Sequence, residues 1–439
     1  MEEKFNNVCS SPFDSSIKKK AVKLTSSNSA LEIILNQSAN FEIEEVDFIN
    51  SLGRVLKENI VADRDFPPFN RVSMDGIGIC FDSFKNGQRK FTIEGIQPAG
   101  SPQLTLKNSK NCIEVMTGAV LPNNVDVVIP YEQVEIENSI ATVQIEEVQQ
   151  FKNIHKKGTD KQKGDLIITE NTLISSAEIG VLATVGKSKV KVVKQPKVMI
   201  VSTGDELVDV TETPEDYQIR RSNVYTLVSL LERLKINAET THITDNKEIL
   251  KSKIASFLNE YDVLLFSGAV SKGKFDFIPE VLDELGVEKL FHKVAQRPGK
   301  PFWFGHNVPA VKSGRDVDSI VGNKQSQATA VFAFPGNPIS TFVGCMKYFY
   351  PWYQKSIGIE EKQNFAVLAN DFTFKPSLTY FLQVKLENEN GQLVAHPIAG
   401  KGSGDLANIV LTDGFLELPA DRTEFKKGEV FPIMRYRSF

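Results

Sequence analysis

Three short apolar segments between residues 194 and 355 constrain the fold of this chain more than any other feature. Each is a compact apolar run that ends in Ser, Gly or Pro, and they read KVMIVSTGDEL, DVLLFSGAVSKG and VFAFPGNPIS. Segments with helical spacing lie between them, such as SNVYTLVSLLERL and KEILKSKIASFLNEY. Apolar strands that alternate with helices are typical of a doubly wound parallel sheet. The sequence therefore predicts a doubly wound α/β domain over residues 194–355.

The sequence on either side of this domain predicts further parts of the fold. Residues 61–150 alternate short β-like runs with Gly, Pro and Asn, which indicates a small, mostly β domain. We expect residues 26–60 and 151–193 to form one elongated N-terminal domain of mixed structure, into which the β domain is inserted. Residues 360–439 read as strands with turns and predict a C-terminal β-barrel-like or sandwich domain. The expected fold class is thus an α/β multidomain protein.

The N-terminal stretch carries two local signals. Residues 1–25 contain Ser, Lys and Asn without apolar periodicity, so they predict a mobile leader. Beyond them, two sets of apolar residues fall at helical spacing: Leu31, Ile34 and Leu35, then Val46, Ile49 and Leu52. We therefore expect two helices in this stretch.

The composition excludes several classes of function. The net charge of −4 over 439 residues gives no basic field for nucleic acid or for a membrane surface. No apolar run approaches the length of about 18 residues that would suggest a membrane span, and the polar N-terminus lacks a signal-peptide core. The four cysteines are scattered without zinc spacing. We expect a protein of the cytoplasm that keeps its thiols reduced.

Polar residues follow the predicted strands of the α/β domain. In FPGNPIS, Asn337 suits an N-cap and Pro338 the first helical position, which leaves helix N–H groups at the sheet edge as an anion site. In VSTGDEL, Asp205 and Glu206 follow a buried strand. They fit a solvated turn, a helix cap, or a Mg²⁺ site beside phosphates equally well.

Two further loops add hydroxyls and cations to the same edge. SGAVSKGKFDF offers Ser267, Ser271 and Asp276, and RPGKP sets Arg297 and Lys300 between two prolines. Each loop alone reads as an ordinary solvated turn. Together, four such loops along one α/β segment favour the binding of a phosphate-type anion. The sequence has no HExxH, GxSxG, GxxxxGK[ST] or GxGxxG motif, which disfavours zinc enzymes, hydrolase triads, Walker ATPases and Rossmann dehydrogenases.

The order and separation of six motifs resemble a known family. SMDG, MTGA, STGDEL, SGAVSKG, RPGKP and PGNP look like the motifs of the molybdopterin molybdenumtransferases, the MoeA family, which includes the C-terminal domain of gephyrin. The resemblance spans residues 25–439. It implies four subdomains, with molybdopterin bound by the α/β domain. It also implies a homodimer whose active site lies between the α/β domain of one subunit and the MDG domain of the other.

The resemblance further implies a reaction and its participants. Adenylylated molybdopterin and molybdate are the implied substrates, Mg²⁺ is the implied cofactor, and insertion of molybdenum into the dithiolene accompanies loss of AMP. A molybdopterin adenylyltransferase is an implied partner. Cleavage of a phosphoanhydride beside Mg²⁺ calls for carboxylates, and binding of an oxyanion calls for cations and N–H groups.

The family motifs carry roles over to residues of this chain. The implied catalytic residues are Asp75, Thr117, Glu206, Asp276, Arg297 and Lys300. The implied metal ligands are Asp205, Glu206 and Asp276. The implied molybdopterin- and molybdate-binding residues are Ser202, Thr203, Gly204, Ser222, Asn223, Ser267, Gly268, Ser271, Gly273, Pro335, Gly336, Asn337, Ser340 and Ser403. Arg297, Lys300 and Ser340 would hold molybdate, and Ser403 would close that site from the C-terminal domain.

Several positions depart from the family pattern. The first lysine of KPGKP is replaced by Arg297, and Arg221 stands where an acidic residue or Asn is usual. The other departures are His155 for Arg, Ala269 for Gly, and Thr379 and Gln383 in a strand that often carries arginines. Set against the family pattern, these departures imply either that one molybdate-binding cation is missing or that Arg221 takes its place. We hypothesise that Arg221 replaces it.

Two alternatives to an active transferase stay open on the sequence alone. The departures would also fit a non-catalytic relative that binds molybdopterin as a scaffold. A nucleotide pyrophosphate hydrolase on the same α/β fold is the other alternative. The presence of Asp75, Glu206 and Asp276 argues against loss of activity, and a simple hydrolase has no evident need of the MDG and MTGA motifs.

Overall fold

The computed structural model describes residues 24–268, 270, 276–307, 328–360, 362–398, 400, 402 and 404–437. The leader prediction, apart from its last two residues, lies outside these, and so do the predictions for Ala269, Ser271, Gly273 and Ser403. The chain forms two compact units, one of residues 41–194 and one that joins the described residues before 41 to those from 195 onward. Since the structure divides the chain only into these two units, the finer domain boundaries stay predictions.

The expected first helix is present, and the expected second helix is wrong. Helix α1 (Ser27–Leu35) belongs to the second of these units and starts where the Ser26 hydroxyl accepts a hydrogen bond from the Ser29 amide. Val46, however, lies in strand β1 (Ile43–Asp47), which is followed by a 3₁₀ turn, Phe48–Asn50. Strand β1 pairs with a strand near residue 190, because that partner satisfies its backbone groups and overrides the local spacing.

The unit of residues 41–194 is built mainly from short strands. They are β1, β2 (Ile60–Val61), β3 (Arg71–Val72), β4 (Gly76–Ile79), β5 (Lys90–Gln97), β6 (Asn111–Val115), β7 (Val127–Pro130), β8 (Val134–Glu137), β9 (Ile140–Val143), β10 (Ile154–His155), β11 (Leu166–Ile168) and β12 (Lys189–Val193). Its helical elements are α2 (Phe81–Lys85), a 3₁₀ turn (Tyr131–Gln133) and α3 (Ser176–Thr184).

A six-stranded sheet in the order β7-β4-β6-β5-β9-β8 accounts for the small β domain that the sequence predicts. Buried apolar residues cover both of its faces, with Ile77, Ile79 and Phe91 in one cluster and Ile113 and Val128 in another. Successive residues of a strand point to opposite faces of its sheet. Because both faces are covered here, apolar residues occur at adjacent positions of these strands.

The α/β part of the other unit follows residue 195. Its strands are β13 (Val198–Thr203), β14 (Leu207–Val208), β15 (Ile219–Arg220), β16 (Ala238–Ile243), β17 (Val263–Ser267), β18 (Glu288–His292), β19 (Gln296–Arg297), β20 (Trp303–Asn307) and β21 (Thr329–Phe334). Its helices are α4 (Asn223–Arg233), α5 (Lys247–Glu260), α6 (Ile278–Glu284), α7 (Pro338–Gly344), a π-helical segment (Cys345–Phe349) and α8 (Tyr350–Ser356).

The doubly wound α/β fold is confirmed, with a mixed sheet in place of a purely parallel one. The sheet order is β16-β13-β17-β21-β20-β18, and the first four strands are parallel. Strands β20 and β18 run antiparallel to their neighbours. Antiparallel neighbours need no crossover helix, and the strands β18 and β20 are joined directly by the loop that contains RPGKP.

Helices cover both faces of this sheet because successive strand residues point to opposite sides. Met199, Val201 and Phe266 pack in one core cluster with residues of α5 and α6. On the other face, the ring of Phe332 contacts Phe349 and a tryptophan of α8.

The C-terminal part is a closed β-barrel, as predicted. Its strands are β22 (Asn364–Leu368), β23 (Phe372–Thr373), β24 (Thr379–Glu389), β25 (Gln392–Pro397), β26 (Gly414–Leu418), β27 (Glu424–Phe425) and β28 (Val430–Arg435), with a 3₁₀ helix at Leu406–Leu411. The order β24-β25-β22-β28-β26 closes because β26 pairs back onto β24. Strand β19 also pairs with β24, so the loop that contains RPGKP is hydrogen-bonded to the barrel. Among the described residues, the structure contains no helix that combines the length and the apolar character of a membrane span.

Candidate active site

A cleft of about 730 Å³ lies at the carboxyl ends of strands β13, β17 and β21. This is the edge at which α/β sheets bind their ligands. All four predicted loop motifs of the α/β domain contribute residues to its lining, and the SGAVSKG motif contributes its first two, Ser267 and Gly268. The predicted site residues in the lining are Ser202, Thr203, Glu206, Ser222, Asn223, Ser267, Gly268, Arg297, Lys300, Pro335, Gly336, Asn337 and Ser340.

The other predicted site residues that the structure describes are not in the lining. Gly204, Asp205 and Asp276 belong to the same unit but are not among the described residues that line the cleft. Asp75 and Thr117 belong to the unit of residues 41–194. The structure thus gathers most of the predicted residues at one place, while their roles stay predictions.

The amide of Asn223 links two of the loops. Its Nδ2 donates to the Ser267 hydroxyl over 2.8 Å and to the Gly336 carbonyl over 2.7 Å. The amide therefore holds the end of β17 and the PGNP loop at a fixed separation. As predicted, Asn337 is the N-cap of α7 and Pro338 is the first residue of that helix.

Two buried polar atoms in the cleft lack a hydrogen-bond partner among the described residues. They are the Thr203 hydroxyl oxygen and the Asn223 Oδ1. A buried polar atom without a partner is costly, so such atoms indicate a place that a ligand completes. Gly268, at φ +111°, leaves space beside the Thr203 hydroxyl, since a Cβ at this position would lie 3.2 Å from it.

The RPGKP loop combines two exposed cations with buried residues between them. Arg297 and Lys300 are exposed, whereas Pro298 and Gly299 are buried. Gly299 has φ +90°, and a Cβ there would lie 2.8 Å from the Gln296 amide nitrogen. The guanidinium of Arg297 lies 6.0 Å from the ring centroid of Phe374 in the barrel domain. A guanidinium can stack on such a ring in a way that the ammonium of a lysine cannot.

A cluster of carboxylates lies beside the STGDEL loop, and one of its members was not predicted. The Asp205 carboxylate accepts a hydrogen bond of 3.0 Å from the backbone amide of Asp245. Burial, followed by the negative charges of Asp205, Glu206 and Asp276, raises the pKa of the Asp245 carboxyl. The Asp245 Oδ1 is buried without a partner among the described residues. Its position just after β16 is the signal that could have identified it.

The chemistry of this donor set suits a hard divalent cation, which takes carboxylate oxygens. The carboxylates repel one another, and a cation among them would remove that repulsion. They do not form a preassembled cage, because the one described trio of potential ligands within 4.8 Å of each other is Glu387, Glu389 and His396. That trio lies on β24 and β25 of the barrel.

The arginines of the IRRSN segment flank the cleft. Arg221 lines it and forms an ion pair with Asp209, and Arg220 also lines it, which was not predicted. Burial, followed by the charge of Arg221, lowers the pKa of His242. The ring Nδ1 of His242 lies 3.1 Å from the Ser202 hydroxyl. Gln296, Leu378 and Gly404 are further lining residues that sequence reasoning missed.

The departure at Gln383 gives a buried neutral amide. Gln383 is 9% exposed, and its Oε1 accepts a hydrogen bond of 3.2 Å from the Asn408 amide. It is not among the described residues that line the cleft.

In the unit of residues 41–194, the SMDG and MTGA motifs meet. The Asp75 carboxylate accepts a hydrogen bond of 2.6 Å from the backbone amide of Thr117. Hydrogen bonds from the Thr117 backbone and side chain hold the pKa of Asp75 below its usual value. Gly76 is needed beside it, because a Cβ there would lie 2.0 Å from the carbonyl oxygen of Ile129.

Sequence comparisons give the family of the chain. Residues 25–186 match the MoeA N-terminal region (domain I and II), residues 199–355 a probable molybdopterin binding domain, and residues 366–436 the MoeA C-terminal region (domain IV). Over 92% of its length the chain is 40% identical to a molybdopterin molybdenumtransferase of Synechocystis sp., of which it covers 98%. The chain belongs to the MoeA family.

Two further relatives agree with this assignment. A molybdopterin molybdenumtransferase of Staphylococcus aureus (strain COL) is 31% identical, with 92% of this chain and 94% of the relative covered. A crystal structure of the molybdopterin biosynthesis MoeA protein from Pyrococcus horikoshii OT3 matches with a TM-score of 0.75 and 27% identity, over 94% of this chain and 100% of that one. The resemblance carried by the sequence motifs is confirmed, and with it the assignment to a family of enzymes.

The carboxylate cluster gives a first prediction. Because the pKa of Asp245 is raised, its ionised form destabilises the fold. This loss of folding stability grows as the pH rises through the raised pKa. Asp245→Asn removes the repulsion and should raise the Tm at neutral pH by about 1–2 °C. The gain should vanish below about pH 4, where the carboxyl is protonated.

Thermal unfolding of the full chain between about pH 3.5 and pH 8 measures this effect. Asp283→Asn, which makes the same charge change at an exposed site on α6, is the control and should show no gain. If Asp245→Asn raised the Tm by the same amount at every pH, the result would contradict the conclusion that repulsion between ionised carboxylates destabilises the fold.

Proposed function

We propose that this chain is a molybdopterin molybdenumtransferase. It inserts molybdenum from molybdate into adenylylated molybdopterin, with the release of AMP and with Mg²⁺ as the metal cofactor. The observation that carries the proposal is the sheet-edge cleft, which combines unpartnered buried polar atoms with the exposed cations Arg297 and Lys300. Membership of the MoeA family supports the same reaction.

Molybdopterin is bound at the strand ends. The Thr203 hydroxyl and the Asn223 Oδ1 are free to exchange hydrogen bonds with the polar edge of a pterin. Ser202, Ser222 and Ser267 add hydroxyls, and the glycines Gly268 and Gly336 let backbone groups approach the phosphate.

Molybdate is held at the other side of the cleft. It is an oxyanion, which requires cations and N–H or O–H donors around it. Arg297 and Lys300 supply the positive charge, and the buried Ser340, in the first turn of α7, supplies a hydroxyl. The turn before α7 also lines the cleft, through Pro335, Gly336 and Asn337.

Asp205, Glu206, Asp245 and Asp276 would hold the Mg²⁺ ion. The raised pKa and the unpartnered oxygen of Asp245 support this role, because a bound cation favours the ionised carboxyl. The ion would supply positive charge that neutralises the pyrophosphate oxygens of the adenylylated substrate. Gly204 leaves room for the Glu206 carboxylate, since a Cβ there would lie 2.5 Å from the Glu206 Oε2.

The active form is a homodimer in which the partner contributes Asp75 and Thr117. The short hydrogen bond from Thr117 keeps Asp75 ionised, which suits a carboxylate that acts beside a metal–phosphate centre. We place the dimer in the cytoplasm, with a molybdopterin adenylyltransferase as the enzyme that supplies its substrate. The family resemblance is what supports these assignments.

A single assay tests the proposal against its alternatives. The purified chain is incubated with adenylylated molybdopterin, Mg²⁺ and molybdate, while AMP release and reconstitution of an apo-molybdoenzyme are measured. AMP release that depends on molybdate and yields active cofactor is the expected result. AMP release without cofactor would indicate a pyrophosphate hydrolase, and tight binding without turnover would indicate a scaffold. Either outcome would overturn the proposal.

Substitutions at Arg297 test the molybdate site. Arg297→Lys keeps the charge but loses the planar fork and its ring contact, so we expect the KM for molybdate to rise about three- to tenfold. Arg297→Ala should raise it further. An Arg297→Lys enzyme with an unchanged KM would show that only the charge is used.

The hypothesis that Arg221 replaces the missing cation is tested by Arg221→Ala. Asp209 already pairs with Arg221, so we expect a smaller rise in the KM for molybdate, about two- to threefold. An unchanged KM would contradict the hypothesis. Arg233→Ala at the other end of α4 is the matched control.

A further inference from the structure

A buried chain of hydrogen bonds supports the RPGKP loop from beneath. The Tyr348 hydroxyl donates to the Gln296 Oε1. The Gln296 Nε2 in turn donates to the Pro298 carbonyl over 3.0 Å. Tyr348 is 0% exposed and Gln296 is 1% exposed, so these polar groups depend on each other and not on water. Burial raises the pKa of Tyr348, which keeps its hydroxyl protonated as a donor.

The same chain connects the loop to the helix that carries Ser340. Helix α7 begins at Pro338 and continues through the π-helical segment Cys345–Phe349, in which Tyr348 lies. One continuous helical stretch therefore places Ser340 in the lining of the cleft and the Tyr348 hydroxyl under the loop. The ring of Tyr348 stacks on Phe302, just beyond the loop, with 4.8 Å between the ring centroids.

The backbone of the loop is fitted to Gln296. The Cβ that any residue other than glycine would place at position 299 would lie 2.8 Å from the Gln296 Nε2, and 3.6 Å from the Ser340 carbonyl oxygen. The loop, the amide of Gln296 and the first turn of α7 thus lie in contact. A shift of the amide would move the loop backbone between Arg297 and Lys300.

We infer that Gln296 and Tyr348 are positioning residues that set the separation between the cations of the RPGKP loop and Ser340. This inference rests on the proposed molybdate site. Without the Tyr348 hydroxyl, the Gln296 Oε1 is left buried without its donor, and the amide gains by rotating away from Pro298. The expected consequence is weaker binding of molybdate, with little effect on the rest of the substrate site.

A matched pair of variants isolates this role. Tyr348→Phe keeps the ring and its stacking on Phe302 but removes the hydroxyl. Ser27→Ala is the control. The hydroxyl oxygens of Ser27 and Tyr348 lie 3.2 Å apart. Because Tyr348 donates its only hydroxyl hydrogen to Gln296, Ser27 must be the donor in this second hydrogen bond. Ser27→Ala therefore removes a hydrogen bond to the same oxygen and leaves the link to the loop intact.

The experiment measures molybdate-dependent AMP release by the full chain. For Tyr348→Phe we expect the KM for molybdate to rise about three- to tenfold, the range for one hydrogen bond. The kcat at saturating molybdate and the KM for adenylylated molybdopterin should stay within about twofold of their original values. Ser27→Ala should change neither KM. Gln296→Met, which removes both hydrogen bonds, should raise the KM for molybdate further, and thermal unfolding verifies that each variant is folded.

The outcomes separate this inference from the function on which it rests. If Arg297→Ala leaves the KM for molybdate unchanged, the proposed molybdate site is wrong. If Arg297→Ala raises it but neither Tyr348→Phe nor Gln296→Met does, only the positioning role is overturned. A loss of kcat in Tyr348→Phe without a change in the KM for molybdate, or an equal rise in Ser27→Ala, would likewise overturn it.

Discussion

The parallel register of the strands at the sheet edge is the constraint on which the site depends. Ser202, the penultimate residue of β13, lies opposite Ser267 at the end of β17, and Ser267 lies opposite Phe334 at the end of β21. Since the strands stop at the same level, the loops that follow them begin at a common edge. Hydroxyls, carboxylates and cations from separate parts of the sequence then surround one space, where each alone would be an ordinary turn.

Buried amides convert this common edge into a fixed arrangement. Asn223 joins the end of β17 to the PGNP loop. Gln296 joins the RPGKP loop to the helix that follows PGNP, and it lies on β19, which the barrel strand β24 holds by backbone pairing. A satisfied buried amide specifies one geometry because any other leaves polar atoms unpaired. The barrel and the α/β sheet thus both hold the RPGKP loop.

The α/β fold and most of the cleft could be predicted because parallel strands and their helices have different apolar periods, and because loops after parallel strands share an edge. The second N-terminal helix could not, since the spacing of Val46 also fits a strand and its partner β12 lies far along the chain. Asp245 was missed because a single Asp before the N-cap Asn246 reads as a helix start. Gln296 was missed because its partner Tyr348 is distant in the sequence.

The most direct test of the central claim, that this edge is one molybdate and molybdopterin site, is to locate molybdenum in crystals grown with molybdate. Anomalous scattering at the molybdenum edge identifies the metal without reference to any assay. The account predicts one main peak within contact of Arg297, Lys300 and Ser340. A main peak elsewhere, or none at a molybdate concentration that saturates turnover, would contradict it.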